Sequence, residues 1–253
     1  MSVKWTIADV DGCISPEESI AWDLGPFAEL ARRVRAANRG ESDRAPMTLC
    51  TGRPQPYVEV LMKLLDVRAP AICENGAVLY TLHDNTARYA PAITEEMLIG
   101  LRRLRAFVET EVLPAAPALV LQFGKEAQMS IFSERPELLP AAQHQIEAYL
   151  DANGGPNMTI SASHYYLNIS FVGVDKGAAL RQLQTMLGAD RSELAGIGDT
   201  EGDLPLREAV GFFACPANAR DAIKVVADYV SPYPEIEGML DILSHPRLRR
   251  FTS

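Results

Sequence analysis

Short apolar runs that end abruptly in acidic, hydroxylated or glycine-containing loops, most of them followed by an amphipathic helix, leave this chain few folds to adopt. Trp5 to Ala8 runs into Asp9-Val10-Asp11-Gly12, Met47 to Thr51 into Gly52-Arg53-Pro54, and Ala71 to Cys73 into Glu74-Asn75-Gly76. A helix is predicted over 26–38, with Pro26 in its first turn, Phe27, Leu30, Ala31 and Val34 as its apolar stripe and Gly40 as its stop. A second helix follows Pro54, with Tyr57, Leu61, Leu64 and Leu65 as the expected apolar face. The rhythm returns late in the chain: helix 176–187, strand 194–198, the loop Gly198 to Asp203, strand 212–215, helix 218–227, strand 229–231 and helix 235–243. Strands without polar alternation, separated by helices, predict an α/β fold: a Rossmann-like parallel sheet core with helices on both faces.

Residues 83–172 read differently. A helix over 94–112 is followed by alternating strands 119–123 and 128–132, then by a helix over 137–150 and strands 158–163 and 164–171. Two rounds of helix-strand-strand predict an inserted α+β domain, an antiparallel sheet covered by two helices. The expected organisation is therefore a core of 1–82 and 173–253 with a second domain at 83–172. In the last strand Tyr165, Leu167, Ile169 and Phe171 share one face, and His164, Tyr166, Asn168 and Ser170 the other. Gln122, Gln128 and Ser130 extend the polar face. A solvated sheet surface explains that pattern; placed over a catalytic core, it would instead roof a substrate pocket, with His164, Tyr166 and Asn168 against the leaving group.

Composition narrows the partners. A net charge of −9 over 253 residues argues against a nucleic-acid binder. Cys13, Cys50, Cys73 and Cys215 show neither C-x-x-C pairing nor histidines at zinc spacing, and read as small buried hydrophobes in a reducing compartment. The start, MSVKWTIADVDG, reaches two aspartates before an apolar signal region forms, and no apolar stretch approaches the roughly 20 residues that cross a bilayer. The expectation is a soluble, cytoplasmic protein whose partner is a small molecule, not a membrane; self-association is not readable.

Four clusters carry the chemistry, each where an apolar strand or an insert ends, and the carboxyl edge of an open parallel sheet is where ligands bind. Asp9 and Asp11, two residues apart in extended chain, can point to one side, and crowded carboxylates call for a cation; Mg²⁺ takes oxygen ligands and keeps waters for exchange. Asp9 can then attack phosphorus, while Asp11 protonates the leaving oxygen and later deprotonates water. Thr51-Gly52-Arg53 offers a hydroxyl and backbone N–H groups at a helix N-terminus, an anion site. Lys176 in a first helical turn opposes the helix dipole, which an anionic partner would justify. Asp199 and Asp203, on a loop with Gly198 and Gly202, would complete a metal site with Asp9. Singly these are explained as a calcium loop, a helix cap, a solvated lysine and an acidic turn. Jointly they come in the order that phosphoryl transfer through aspartate requires.

With these residues in place the chain resembles the haloacid dehalogenase-like (HAD) phosphatases over nearly its whole length. ADVDGC is similar to their first motif, LCTGR to the second, VDKG to the third and GIGDTEGD to the fourth. The insert resembles their type IIB cap, ICENGA is typical of that subgroup, and FACPANARDAIKVVADYVS resembles the archaeal phosphoglycolate phosphatases; in look the chain is similar to these and to Cof-type members. The resemblance implies a phosphoaspartate on Asp9, Asp11 as general acid and base, and Thr51 and Lys176 on the transferring phosphoryl group. It implies Mg²⁺ on the Asp9 carboxylate, the Asp11 backbone carbonyl and Asp199, with Asp203 in support, and Asn218 near the site. Gly202 stands where relatives often carry Asn, and Cys13 where Thr is usual. A phosphomutase of the same fold and a non-catalytic binding module remain the alternatives at this point. The substrate class implied is a phosphoglycolate-like acid or a sugar phosphate.

Overall fold

The structure, a computed structural model, describes residues 3–16, 20–162 and 165–250. The described strands are, in chain order, β1 Trp5–Ala8, β2 Met47–Leu49, β3 Ala71–Cys73, β4 Val78–Thr81, β5 Thr86–Tyr89 and β6 Val120–Leu121. They continue as β7 Met129–Phe132, β8 Met158–Ala162, β9 Tyr166–Phe171, β10 Leu194–Ile197, β11 Phe212–Cys215 and β12 Tyr229–Val230. The chain divides into two compact units, one of Met1–Arg88 with Lys176–Ser253 and one of Tyr89–Asp175.

The first unit is built on a five-stranded sheet in the order β12-β11-β10-β1-β2, every pairing parallel. Apart from the edge strand β12, its strands are almost wholly buried, which is why they read as continuous apolar runs. The helix Leu24–Arg39 starts at Asp23, whose side chain accepts from Gly25 N–H, and stops at Gly40 in the left-handed region (φ 74°). On the helix Gln55–Leu65 the buried residues are Val58, Leu61, Met62 and Leu65, so the expected face is rotated: Leu64 is exposed and Tyr57 only half-buried.

β3 corrects a second expectation. Its range is as predicted, but it pairs antiparallel with β4 and, among the described residues, meets the main sheet through a parallel bridge between Cys50 and Ile72. The sequence reading missed β4 and β5. Three of the four residues of β5 are exposed, so no apolar alternation marks it; pairing in the β3-β4-β5 sheet makes it a strand.

The second unit, taken by itself, is an antiparallel sheet in the order β6-β7-β9-β8 with helices Glu95–Phe107 and Leu139–Asn153. Thr94 caps the first helix by accepting from Met97 N–H. Leu98, Leu101 and Leu104 on it, and Ala142 and Ile146 on the other, are buried together with Met129, Ile131, Leu167, Ile169 and Phe171 from the sheet. Phe107 stacks on Tyr149 between the helices, ring centroids 4.3 Å apart. The alternation read from the sequence holds over β9, where Leu167, Ile169 and Phe171 are buried and Tyr166, Asn168 and Ser170 on the opposite face are half-buried; Tyr165, expected on the apolar face, precedes the strand and is exposed. His164 lies outside the described residues. No helix among the described residues is long and apolar enough to cross a membrane.

Candidate active site

In the five-stranded sheet the connections leave in opposite directions from β1 and β10, so their carboxyl ends open a crevice at the switch point. Asp9 follows β1 and Asp199 follows β10, and the Asp9 N–H donates to the Ile197 carbonyl at 2.8 Å, which ties the two strand ends together. Asp9, Asp199 and Asp203 are all buried, and one carboxylate oxygen from each falls within 4.8 Å of the others. The loop that carries the latter two is wound on Asp203, whose Oδ2 accepts from the N–H groups of Asp199 (3.0 Å) and Thr200 (3.3 Å). Glycine is required before it: a Cβ on Gly198 would lie 2.6 Å from the Asp203 side chain. Gly12 is equally constrained, with φ 71° and Asp199 Oδ2 where a side chain would begin.

Lys176 opens the helix Lys176–Leu187 and is 7% exposed. Its Nζ donates to Asp203 Oδ1 at 2.7 Å and to Asp9 Oδ1 at 3.1 Å. Burial alone would push the Lys176 ammonium down, but Asp203 and Asp9 outweigh it and hold its pKa well above the ordinary value. Asp9 moves the other way: burial first, then the Asp203 charge, raise its pKa to about 8 in spite of Lys176. The two directions are compatible because the one ammonium, held by Asp203 and Asp9, lies in a cluster of three carboxylates and leaves it short of positive charge. A hard dication with oxygen preference fits that deficit, so these three carboxylates are the residues that would hold Mg²⁺.

The linkage has a measurable consequence. Unfolded, an aspartate titrates near 3.9; folded without metal, Asp9 keeps its proton up to about 8. Between these values the folded state binds more protons, so the Asp9 contribution makes stability fall as pH rises from about 4 to about 8. Lys176 adds no slope there, since its raised pKa matters only above the unfolded lysine value. In the metal-free protein, the melting-temperature difference between Asp9→Asn and the parent should widen in favour of the variant across this window, and Mg²⁺ should close it. A difference that stays flat with pH would contradict the assignment.

The Asp11 side chain is not part of the three-carboxylate cluster. Both its oxygens lie 2.9 Å from Arg53 Nε, Oδ1 also accepts from an Arg53 terminal nitrogen, and Ser15 Oγ lies 3.4 Å from Oδ1. The expected convergence of the Asp11 carboxylate on the cation is therefore replaced by an ion pair. Arg53 in turn lies over the Tyr57 ring, 5.0 Å from its centroid. Charge alone could not have predicted this pairing, because it depends on the turn after Thr51.

Thr51 is fully buried; its N–H donates to Ile72 and its Oγ1 accepts from Arg53 N–H at 3.1 Å. Gly52 lets Asn75 approach, since a Cβ there would sit 2.9 Å from Asn75 Oδ1. Glu74 and Asn75, both at positive φ (49° and 52°), donate their N–H groups to the Arg53 and Thr51 carbonyls. Glu74-Asn75-Gly76 thus braces the Thr51 loop, a role that its sequence pattern alone did not disclose. Asn218 Nδ2 donates to the Gly12 carbonyl at 2.9 Å while its Oδ1 accepts from Glu235 N–H, clamping the Asp9 loop from the C-terminal segment. Cys13 is buried, its thiol pushed up by burial and then by Asp199, so it stays neutral. At Gly202 a Cβ would make only an ordinary 3.4 Å contact with Thr200 Oγ1, so packing does not demand glycine there.

The profile of the haloacid dehalogenase-like hydrolases matches residues 31–101 and 126–243. This chain belongs to that family. Asp9 to Gly12 precede the matched segments, so their part in the site of this HAD-like hydrolase rests on the geometry above. Curated phosphoglycolate phosphatases from Archaeoglobus fulgidus and Thermoplasma volcanium are 28% and 23% identical to the hydrolase, over 92% and 96% of this chain and 98% of each of theirs. Among solved structures, a Thermoplasma acidophilum protein superposes with a TM-score of 0.72 at 22% identity, covering 97% of this chain and 98% of its own. A haloacid dehalogenase-like hydrolase from Bacteroides thetaiotaomicron gives 0.70 at 18%, covering 96% and 98%. These two share the hydrolase's fold.

Proposed function

We propose that this phosphatase is Mg²⁺-dependent and hydrolyses a small phosphorylated metabolite, a phosphoglycolate-like acid or a sugar phosphate, through a phosphoaspartate on Asp9. The observation that carries the reading is the buried, cation-deficient cluster of Asp9, Asp199, Asp203 and Lys176 at the carboxyl edge of the parallel sheet. An Asp9 carboxylate oxygen attacks phosphorus, the P–O bond to the substrate breaks, and the departing oxygen takes a proton from Asp11. Asp11 then takes a proton from water, which attacks the phosphorus of the phosphoaspartate, frees inorganic phosphate and restores the Asp9 carboxylate. Lys176 and the Thr51 loop stabilise the phosphoryl oxygens during both displacements. Mg²⁺, when bound, neutralises the carboxylates and the charge on the phosphoryl group. Arg53 orients Asp11, and Tyr166, Asn168 and His164 serve the leaving group. The names of the curated relatives support the acid substrate class.

The test is phosphate release from p-nitrophenyl phosphate and from a panel of phosphorylated acids and sugars, with Mg²⁺ and with EDTA. Release from at least one ester, lost in EDTA and independent of any bisphosphate activator, is expected. Isomer interconversion without net release, or turnover indifferent to EDTA, would defeat the proposal.

A further inference from the structure

Proteins blunt the open edges of their sheets with short strands, charged side chains, proline or bulges. Here β6 and β12 are two residues long, and β5 carries Arg88. β8 has none of these protections. It ends the order β6-β7-β9-β8, spans the five residues Met158–Ala162 and pairs in unbroken antiparallel register with β9. Thr159, Ser161 and Ala162 are exposed, and Met158 and Ile160 half-buried. Between Asp151 and Asp175 the chain carries no Asp, Glu, Lys or Arg, although such residues make up 23% of the whole, so no neighbouring charge guards this edge either.

The ladder fixes which backbone groups look outward. Along an antiparallel strand, successive residues alternate between bonding to one neighbour and turning away from it. The Val172 N–H donates to the Asn157 carbonyl at 3.0 Å, so the pairs in phase with it, Thr159 with Ser170 and Ser161 with Asn168, are those that bond across β8 and β9. The other side of β9 gives the same phase, since the Ser133 N–H donates to the Tyr165 carbonyl and Leu167 and Ile169 face β7. Met158, Ile160 and Ala162 therefore direct their N–H and C=O groups away from β9, to the side where no other strand lies among the described residues. Their side chains share the face of Phe171, Ile169 and Leu167, which makes the open edge apolar as well.

We propose that β8 is a self-association edge, which pairs antiparallel with β8 of a second copy of this chain about a two-fold axis at Ile160. In that register Ile160 faces Ile160, Met158 faces Ala162 and Thr159 faces Ser161 of the other copy. Each outward N–H then meets an outward C=O, because the two-fold joins residue 160 to its twin and exchanges 158 with 162. The apolar faces fall on one side, so Met158 and Ile160 cover surface that a single copy leaves half-open. Charge selects a second copy as the occupant. Copies of net charge −9 repel each other over most of their surface, and at this edge they meet without charge. A two-fold contact of this kind also closes at two copies, which keeps an unprotected edge from growing into a fibre. The proposal is independent of the phosphatase reading.

The test is sedimentation equilibrium of the full chain from about 1 to about 300 µM, since a ladder this short makes a dimer that dissociates on dilution. A dimer is expected at the upper end of that range. Thr159→Lys combined with Ser161→Lys sets like charges opposite each other on both sides of the axis, and should raise the dissociation constant roughly tenfold or more. Thr159→Glu combined with Ser161→Lys sets opposite charges in the same places and should keep the dimer or tighten it. Both positions are exposed, so melting temperatures at low concentration should match the parent and show that the fold is intact. Ala162→Pro removes an outward donor without touching a bond to β9, and should also favour the monomer. A parent that stays monomeric throughout, or a dimer on which the two double variants act alike, overturns the proposal.

Discussion

Asp9→Asn is expected to remain folded and to lose turnover by roughly ten-thousand-fold or more. The substitution keeps the shape of the side chain and its contact distance to Lys176 but replaces the attacking oxygen with a far weaker nucleophile. Folding should survive because burial and Asp203 already favour the uncharged form of Asp9, raising its pKa to about 8, and a neutral amide matches that form. Circular dichroism and melting temperature check the fold, and single-turnover phosphate release checks the chemistry. Comparable turnover in the variant would remove Asp9 from the nucleophile's place.

Lys176→Met is expected to have the opposite balance, damaging both stability and rate. Its ammonium lies between Asp9 and Asp203, and removing it leaves those carboxylates buried without their cation. Breaking one side of a buried ion pair costs about 3–5 kcal/mol, which a urea titration of the metal-free protein resolves as a lowered midpoint. Mg²⁺ should restore part of that stability by supplying charge to the same oxygens. It should not restore the rate, which is expected to fall by roughly a hundredfold to a thousandfold through loss of a donor to the phosphoryl oxygens. A variant as stable as the parent in the absence of metal would show that the carboxylates are neutralised by other means.

Much of this protein was legible before any coordinates. The strands Trp5–Ala8, Ala71–Cys73 and Phe212–Cys215 and the helix Lys176–Leu187 were predicted to the residue. Burial on both faces makes central parallel strands uniformly apolar, and local composition carries that signal. Asp9, Thr51, Asp199 and Asp203 could be singled out for a related reason: a charged or hydroxylated residue ending an apolar run must sit at the sheet's edge.

Tertiary structure decided the rest. β5 is a strand only because β4 lies beside it, and the buried stripe of the helix Gln55–Leu65 is set by what it packs against. Asp11 turns to Arg53, forty-two positions away in the chain, instead of joining Asp9 and Asp199. The strand Met158–Ala162 could be read from its alternation, but its place at the end of a sheet, with one side open, follows from the pairing order. Sequence by itself determined which elements form and which side chains end them, because those follow from nearest neighbours and from burial common to the class. Pairing of charges, the ionisation of Asp9 and the position of β8 at a sheet edge depend on distances between residues remote in the chain, which exist only once the chain has folded.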